Sequence, residues 1–478
     1  MTTAPRALAL ALSLGLAACR PTSAGRASPD TAPAPYDLSA RGERLNVIVV
    51  SMDALRYDRT GLGPAPTRWT PHLDRFAREA VVFHRAVSAA PWTVPSHMAM
   101  WTGRWPTRHG MVNKFRPDPA TGAAVDATLD PAIETYPERL RASGYTAVAF
   151  TGGAGVSARF GFGRGFETYL DDRRFAGMEH SLPPAVAWLR ARERSGATRP
   201  FFLFLHGYDV HGQHPLDGVT RAEVSPGYQG PLDGSIAENA RLREGGLAVI
   251  RSPGDAASLA GVITAEDGRF LRDVYDRKVE QADRRLGAFL DELRARDLLD
   301  RSIVAVVSDH GDEFLEHGHF DHGHTLFEEQ LHVVMMIRFP HGAGRRDVRA
   351  LARTIDLFPT VFHALGLRGP GGVDGASLLP LVAGAAVVDR PVFAETDYRL
   401  FVHHRMVRVG DHKLVVDLGD DQASLYNLAD DPGERTDLSA REPDLRATLE
   451  RTLDAWLAAQ GTRRDAFRGR HERHITVF

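Results

Sequence analysis

The chain has 478 residues, 43% of them hydrophobic and 25% charged, which is ordinary for a folded protein and excludes wholesale disorder, a collagen-like rod and a multi-span membrane protein. Its 58 lysines and arginines stand against 61 aspartates and glutamates, a net charge of -3, so no broad basic field is available to hold a nucleic-acid backbone. A single cysteine excludes an intrachain disulfide framework and a thiolate metal cluster, and leaves oxygen and imidazole nitrogen as metal ligands.

At the amino end, one basic residue in Met1 to Arg6 precedes the apolar run Ala7 to Ala18 and then Cys19. The run is too short to span a bilayer comfortably and reads as the core of a signal peptide. The stretch Leu16-Ala17-Ala18-Cys19 resembles a bacterial lipoprotein signal. That resemblance implies cleavage after residue 18, lipidation of Cys19 and an exported protein held at the membrane of the bacterial cell envelope. A plain secretory signal is the alternative, and it also predicts export. Residues 19–44 are rich in Pro, Ala, Ser and Thr and predict a flexible tether.

From Leu45 onward, apolar runs alternate with amphipathic segments. Leu45 to Val50 is a continuous run rich in β-branched residues, as a strand buried on both faces requires. Similar runs recur at Thr146 to Thr151, Pro200 to Leu205, Ile303 to Ser308 and Val333 to Ile337. Helical spacing lies between them, over Pro71 to Ala80, Ile133 to Ser143, Pro183 to Arg194 and Phe270 to Arg296. This alternation predicts an α/β domain over 45–385, a mostly parallel sheet with helices on both faces. Within it, residues 212–268 carry Gly, Pro and charge with little periodicity and read as a long surface excursion, a frequent source of binding loops. Beyond 385, short runs at Val392 to Thr396, Met406 to Val409, Lys413 to Val416 and Ser424 to Leu428 predict an antiparallel sheet. An amphipathic helix over Glu442 to Ala459 completes a smaller C-terminal α+β subdomain, 386–478, whose last residues from Thr462 read as a solvated extension.

Open α/β sheets bind ligands at the carboxyl ends of their strands. There the chain offers Asp53, then His206, Asp209 and His211, then Asp309 and His310, followed by His317, His319, His322 and His324. Each alone reads as a solvated turn or a satisfied histidine. Together, carboxylate and imidazole at three strand ends suit a divalent cation such as Zn or Mn better than Ca, which takes oxygen ligands. In the segment Ala90 to His97, Pro95 predicts a helix start that leaves Thr93 just before the helix, where backbone amides attract an anion. A hydroxyl there can be both metal ligand and nucleophile; the alternative is that Thr93 or Ser96 merely caps the helix. Trp92, Trp101 and Trp105 read as packing around this helix.

In order, the segments NVIVVSMDALRYDRTG (46–61), TPHLDRFAREAVVF (70–83), APWTVPSHMAMWTGRWPTRHG (90–110), PFFLFLHGYDVH (200–211), VVSDHGDEFLEHGHFDHGHTLFEE (306–329), TIDLFPTVFHALGL (354–367) and SLYNLADDPGERTDL (424–438) resemble the sulfatases of the alkaline phosphatase superfamily. The resemblance implies hydrolysis of a sulfate- or phosphate-type ester of a small molecule, glycan or lipid. It also implies that Asp53, Thr93, Asp309 and His310 hold one divalent ion, with Thr93 as nucleophile. His211 and either His324 or His322 would contact the transferred group or protonate the leaving group. His324 is preferred, because it precedes Thr325 to Glu328, where the family often has a substrate-binding lysine. His97 stands where the family has arginine, and with Arg56 it is a candidate contact to an anionic substrate.

The likeness breaks at the nucleophile. The family reads Cys or Ser, any residue, Pro, Ser, Arg where this chain reads Thr93, Val94, Pro95, Ser96, His97. That Cys or Ser is typically oxidised to formylglycine, and threonine, with a methyl group on its β-carbon, cannot form that aldehyde, so formylglycine is not expected. Ala54 replaces a second aspartate, His310 replaces asparagine, and residues 151–156 lack the Gly-Lys-Trp-His element that supplies cationic contacts to sulfate. The remainder resembles the threonine-nucleophile phosphodiesterases, phosphonate ester hydrolases and phosphoethanolamine transferases of the superfamily. The expected mechanism is metal-assisted attack by Thr93, protonation of the leaving oxygen by histidine, and hydrolysis of the threonine ester by water. Such a second step suits a phosphoryl group, which shifts the weight towards phosphoesters without excluding sulfate esters. The alternatives are a transferase acting on an envelope glycan, disfavoured because no block of transmembrane helices precedes the domain, and a non-catalytic metal- or ligand-binding envelope protein.

Overall fold

The Asn46–Met52 strand lies inside an eight-stranded sheet in a computed structural model that describes residues 36, 38, 44–118, 120–121, 123–251, 263–341, 344–385 and 390–467. The segment expected to be a signal, with Cys19, most of the expected tether, and residues 468–478 lie outside the described residues. Across the sheet the order is Arg346–Val348, Val81–Phe83, Met335–Arg338, Ser302–Val307, Asn46–Met52, Phe201–Gly207, Thr146–Phe150 and Thr168–Leu170. The last five strands are mutually parallel. Met335–Arg338 runs antiparallel to both of its neighbours.

The continuous apolar runs follow from this burial. Val47 and Val49 enter one core while Ile48 and Val50 enter the other, because successive side chains of a strand point to opposite faces. The same division separates Ile303, Ala305 and Val307 from Val304 and Val306. With helices on both faces, no polar alternation is needed.

Two elements differ from expectation for tertiary reasons. The helix expected from Pro183 starts at Met178, where Asp209, from a distant strand end, accepts the Met178 N–H at 2.9 Å. The excursion 212–268 contains a helix, Ile236–Arg251. Its amino end is fixed by Glu238, which accepts from the N–H groups of Asp233 and Gly234, and by Asn239, which donates to the Gly212 carbonyl at 2.8 Å. The long helix Ala265–Arg294 opens on a reciprocal capping pair of Thr264 and Asp267.

The C-terminal sheet has four antiparallel strands, Val392–Thr396, His404–Val409, His412–Asp417 and Gln422–Asn427, backed by the helix Pro443–Ala459. Trp456 of that helix stacks on Phe393 with ring centres 4.6 Å apart and meets Trp105 edge-on at 5.8 Å. Buried charges complete the junction: Glu328 pairs with Arg408 and Lys413, both at 2.9 Å, and Lys413 pairs with Glu434 at 2.8 Å. Among the described residues no helix is long and apolar enough to cross a membrane.

Candidate active site

Three neighbouring parallel strands deliver their carboxyl ends to one edge of the sheet. Asp53 follows the first strand, Tyr208 and His211 follow Phe201–Gly207, and Asp309 and His310 follow Ser302–Val307. Facing them is the helix Thr93–Thr102, in which Thr93 is the first helical residue rather than the residue before it, as Pro95 had predicted. Neither hydroxyl caps this helix. Ser96 donates to the Asp309 carbonyl at 2.8 Å, and the cap position belongs to Trp92.

His310 is the hub. Its Nδ1–H donates to the Gly311 carbonyl at 2.9 Å, which leaves the Nε2 lone pair facing inward. That nitrogen lies 3.5 Å from Asp53 Oδ1, 3.3 Å from Asp309 Oδ2 and 3.4 Å from Thr93 Oγ1. Asp53 Oδ1 and Asp309 Oδ1 are buried and have no hydrogen-bond donor among the described residues. Buried acceptors that converge without donors are costly to leave uncompensated. The set fits a divalent cation held by two carboxylates and one imidazole, with the Thr93 hydroxyl in reach.

Two further histidines hold these carboxylates. His206 accepts the Gly152 N–H at Nδ1 and turns Nε2 towards Asp53 Oδ2 at 3.4 Å. His97 is fully buried, donates from Nδ1 to the Thr93 carbonyl at 3.0 Å, lies 3.2 Å from Asp309 Oδ2, and meets Ser51 Oγ through Nε2 at 2.9 Å. Burial favours a neutral His97, but Asp309 and Asp53 outweigh it and raise its pKa. Burial likewise opposes ionisation of Asp309, yet His310 and His97 hold its carboxyl well below the ordinary range.

Three sequence-based assignments change. His97, expected at the substrate, is sealed behind Thr93 and Asp309. Arg56 is buried and engaged by Asp58 at 2.8 Å, Glu316 at 2.9 Å and the Asp312 carbonyl at 2.8 Å, and it does not line the cleft beside Thr93. Of the paired histidines, His322 lines the cleft beside Thr93 and His211, with its ring 4.8 Å from His211 and 4.3 Å from His310. His324 packs instead against His319 at 5.3 Å, and burial pushes it down to about 3. The chain distinguishes them through Asp312 and Asp321, which take His322 Nδ1 at 2.5 and 2.6 Å. Those carboxylates outweigh burial and raise His322 well above its ordinary range. His211 goes the other way, lowered by burial and by neighbouring His322. Its Nδ1 accepts the Gln213 N–H at 3.1 Å, so its proton sits on Nε2.

Trp101 and Trp105 are buried in the core, as expected, while Trp92 also borders the cleft. Several lining residues were missed from the sequence: Lys114, Arg173, Arg174 and Arg243. The adjacent pair Arg173-Arg174 was a visible signal, whereas Lys114 and Arg243 are isolated in the chain. Gly155 was missed for the opposite reason, since its role is to be absent. A Cβ there would stand 2.8 Å from Thr93 Cγ2 and 3.0 Å from the Tyr208 hydroxyl.

A family model described as Sulfatase matches residues 45–367. The chain belongs to the sulfatase family. A second model, N-sulphoglucosamine sulphohydrolase, C-terminal, matches residues 315–459 of this sulfatase. Arylsulfatase K of Danio rerio is 24% identical over 456 residues, covering 86% of this chain and 83% of that protein. N-acetylgalactosamine-6-sulfatase of Rattus norvegicus is 25% identical over 372 residues, covering 73% of this chain and 67% of its own length. Two solved structures share the fold: BT1596, a 2-O GAG sulfatase, at 20% identity, with a TM-score of 0.69 and coverage of 88% of this chain and 93% of that one; and the phosphonate monoester hydrolase of Agrobacterium radiobacter, at 21% identity, with a TM-score of 0.64 and coverage of 87% and 96%. The protein is thus a hydrolase of ester bonds, in a family that depends on a divalent metal, and its buried Asp53, His97 and Asp309 offer candidate ligand atoms within 4.8 Å of one another.

Proposed function

We propose that this sulfatase hydrolyses sulfate or phosphate-type esters through a covalent ester on Thr93. One observation carries the reading: Thr93, the first residue of its helix, holds Oγ1 3.4 Å from the inward nitrogen of His310, beside the carboxylate oxygens Asp53 Oδ1 and Asp309 Oδ1, which have no hydrogen-bond donor among the described residues. Asp53, Asp309, His310 and Thr93 would hold one divalent ion, Zn or Mn rather than Ca given the imidazole, and no formylglycine is involved. Bound there, the cation would lower the pKa of the Thr93 hydroxyl and offset charge on the non-bridging oxygens.

In the first step Thr93 Oγ1, ionised, bonds to sulfur or phosphorus, and the bond to the alcohol oxygen breaks. Protonated His322, fixed by Asp312 and Asp321, gives its Nε2 proton to that leaving oxygen. His211 donates its Nε2–H to a non-bridging oxygen throughout. In the second step His322, now neutral, takes a proton from water. The resulting hydroxide attacks, and the Thr93 ester bond breaks to restore the starting state.

The test is metal content together with turnover of p-nitrophenyl sulfate, p-nitrophenyl phosphate, bis-p-nitrophenyl phosphate and a phosphonate monoester, for the wild type and Thr93→Ala. Turnover lost in Thr93→Ala, with the metal retained, supports the reading, and the preferred ester assigns sulfate or phosphorus. Turnover independent of Thr93 sinks it. Protein without metal and without turnover supports the non-catalytic alternative. We infer further that residues 1–18 are a cleaved lipoprotein signal and that 19–44 tether domains 45–385 and 386–478 to the bacterial envelope membrane through Cys19. Mass spectrometry of the membrane fraction would find Cys19 acylated, and an unmodified mature amino terminus would refute the anchor.

A further inference from the structure

The cleft beside Thr93, about 480 Å³, is lined by six cationic side chains, Lys114, Arg159, Arg173, Arg174, Arg243 and Arg399, but by only two carboxylates. This stands out in a chain whose overall charge is -3. Both carboxylates are used within the wall. Asp171 accepts from Ser157 Oγ and the Ala158 N–H, each at 2.7 Å. Glu244 takes Arg399 through two bonds of 3.1 and 2.9 Å. Arg159 lies 3.5 Å from Asp126, and Arg243 is only loosely placed, 3.8 Å from Asp321 and 3.6 Å from Glu244. Among the described residues, Lys114, Arg173 and Arg174 have no carboxylate at ion-pair distance.

These cations are brought together by the fold rather than by chance neighbours in sequence. Lys114 precedes the short strand Phe115–Pro117, Arg174 is bridged through its backbone to Gly153, and Arg243 comes from the helix Ile236–Arg251 within the long excursion. Lys114 is half-buried with its ammonium 5.7 Å from the Phe175 ring. Burial, with Arg243, Arg174 and Arg159 nearby, pushes it down to about 8. Like charges gathered in a concave wall raise one another's energy and favour a bound anion. The transferred group is already matched by Thr93, His211, His322 and the metal ligands, so the cationic wall is left for another part of the substrate.

We propose that this wall is an anion subsite that selects esters whose alcohol portion bears a second negative charge, with Lys114, Arg174 and Arg243 as specificity-determining residues. The proposal rests on the ester-hydrolase reading and adds a substrate class to it: an ester with a carboxylate, sulfate or phosphate on the leaving portion.

The experiment uses matched pairs differing in one charge. The sulfate and phosphate-type esters of para-hydroxyphenylacetate and of para-hydroxyphenylacetamide are compared by kcat/KM. Calorimetry on Thr93→Ala compares para-sulfophenylacetate with its amide, which reads binding without turnover. The carboxylate is expected to be favoured about tenfold in both, less so at high salt. The ratio is expected to fall towards one in Lys114→Gln/Arg174→Gln, and circular dichroism confirms that this variant is folded. Ratios near one in the wild type overturn the subsite while leaving the Thr93 reading intact. A binding preference without any turnover overturns the catalytic reading and keeps the subsite. A preference that survives the double variant overturns the assignment to these residues.

Discussion

Replacing Gly155 by alanine tests whether Thr93 must sit where it is. The new Cβ would lie 2.8 Å from Thr93 Cγ2 and 3.0 Å from Thr93 Cβ, whereas carbon atoms in contact settle at about 3.5–4.0 Å. Relief therefore needs a shift of about 1 Å in the threonine, and a misplacement of that size costs about 100-fold in rate. Gly155 is not at positive φ, so the backbone accepts alanine and the melting temperature should change little. The assay is kcat/KM on the best ester found, paired with thermal unfolding. Thr93→Ser removes the nearest of the contacts and leaves the Cβ of residue 93 and the Tyr208 hydroxyl, each at 3.0 Å, so Gly155→Ala should cost less, though not nothing, in a Thr93→Ser background than in the wild type. An undiminished Gly155→Ala enzyme, or an equal loss in both backgrounds, would refute the packing argument.

Other outcomes follow from the same geometry. Asp309→Asn should lose most of its divalent metal, read by elemental analysis, and chelation should lower the melting temperature of the wild type but not of this variant. His322→Gln should lose about 100-fold in kcat on an ester with a poor leaving group and far less on p-nitrophenyl esters, while His324→Gln should show no such split; equal behaviour of the two would reject His322 as the acid. Against burial, Arg405 and His403 hold Asp397 down to about 2. An acid whose pKa is lowered by folding stabilises fully above its unfolded value of about 3.9 and loses that contribution as pH falls through the folded value. Urea titrations should therefore show about 2 kcal/mol of stability lost between about pH 4 and pH 2, and a smaller loss in Asp397→Asn.

The sheet was legible because burial on both faces leaves a mark in the chain: Asn46–Met52 and Ser302–Val307 have no polar alternation to confuse them with surface strands. Asp53, Asp309 and His310 were legible for a related reason, since parallel strands place their carboxyl ends side by side. His322 and His324 could not be ranked from spacing alone, because their difference lies in Asp312 and Asp321, and the approach of those carboxylates is tertiary. Ile236–Arg251 was hidden by the paired glycines Gly245 and Gly246 and by anchors such as the Gly212 carbonyl. Of the cationic cleft only the pair Arg173-Arg174 left a mark in a chain of near-balanced charge, for no stretch of sequence gathers Lys114, Arg174 and Arg243.

The Glu328, Lys413 and Glu434 pairs have a consequence for how the enzyme is made. Synthesis runs from the amino end, so the Asp53 carboxylate and the Thr93 hydroxyl exist long before the strands that brace the segment after His310. A nascent or truncated chain ending before Glu434 keeps the reactive groups but leaves Glu328 without its full set of buried partners. Maturation is thereby tied to completion: unfinished chains are expected to be inert rather than loosely active, and a premature stop in the last strands should silence a centre whose own residues have all been synthesised.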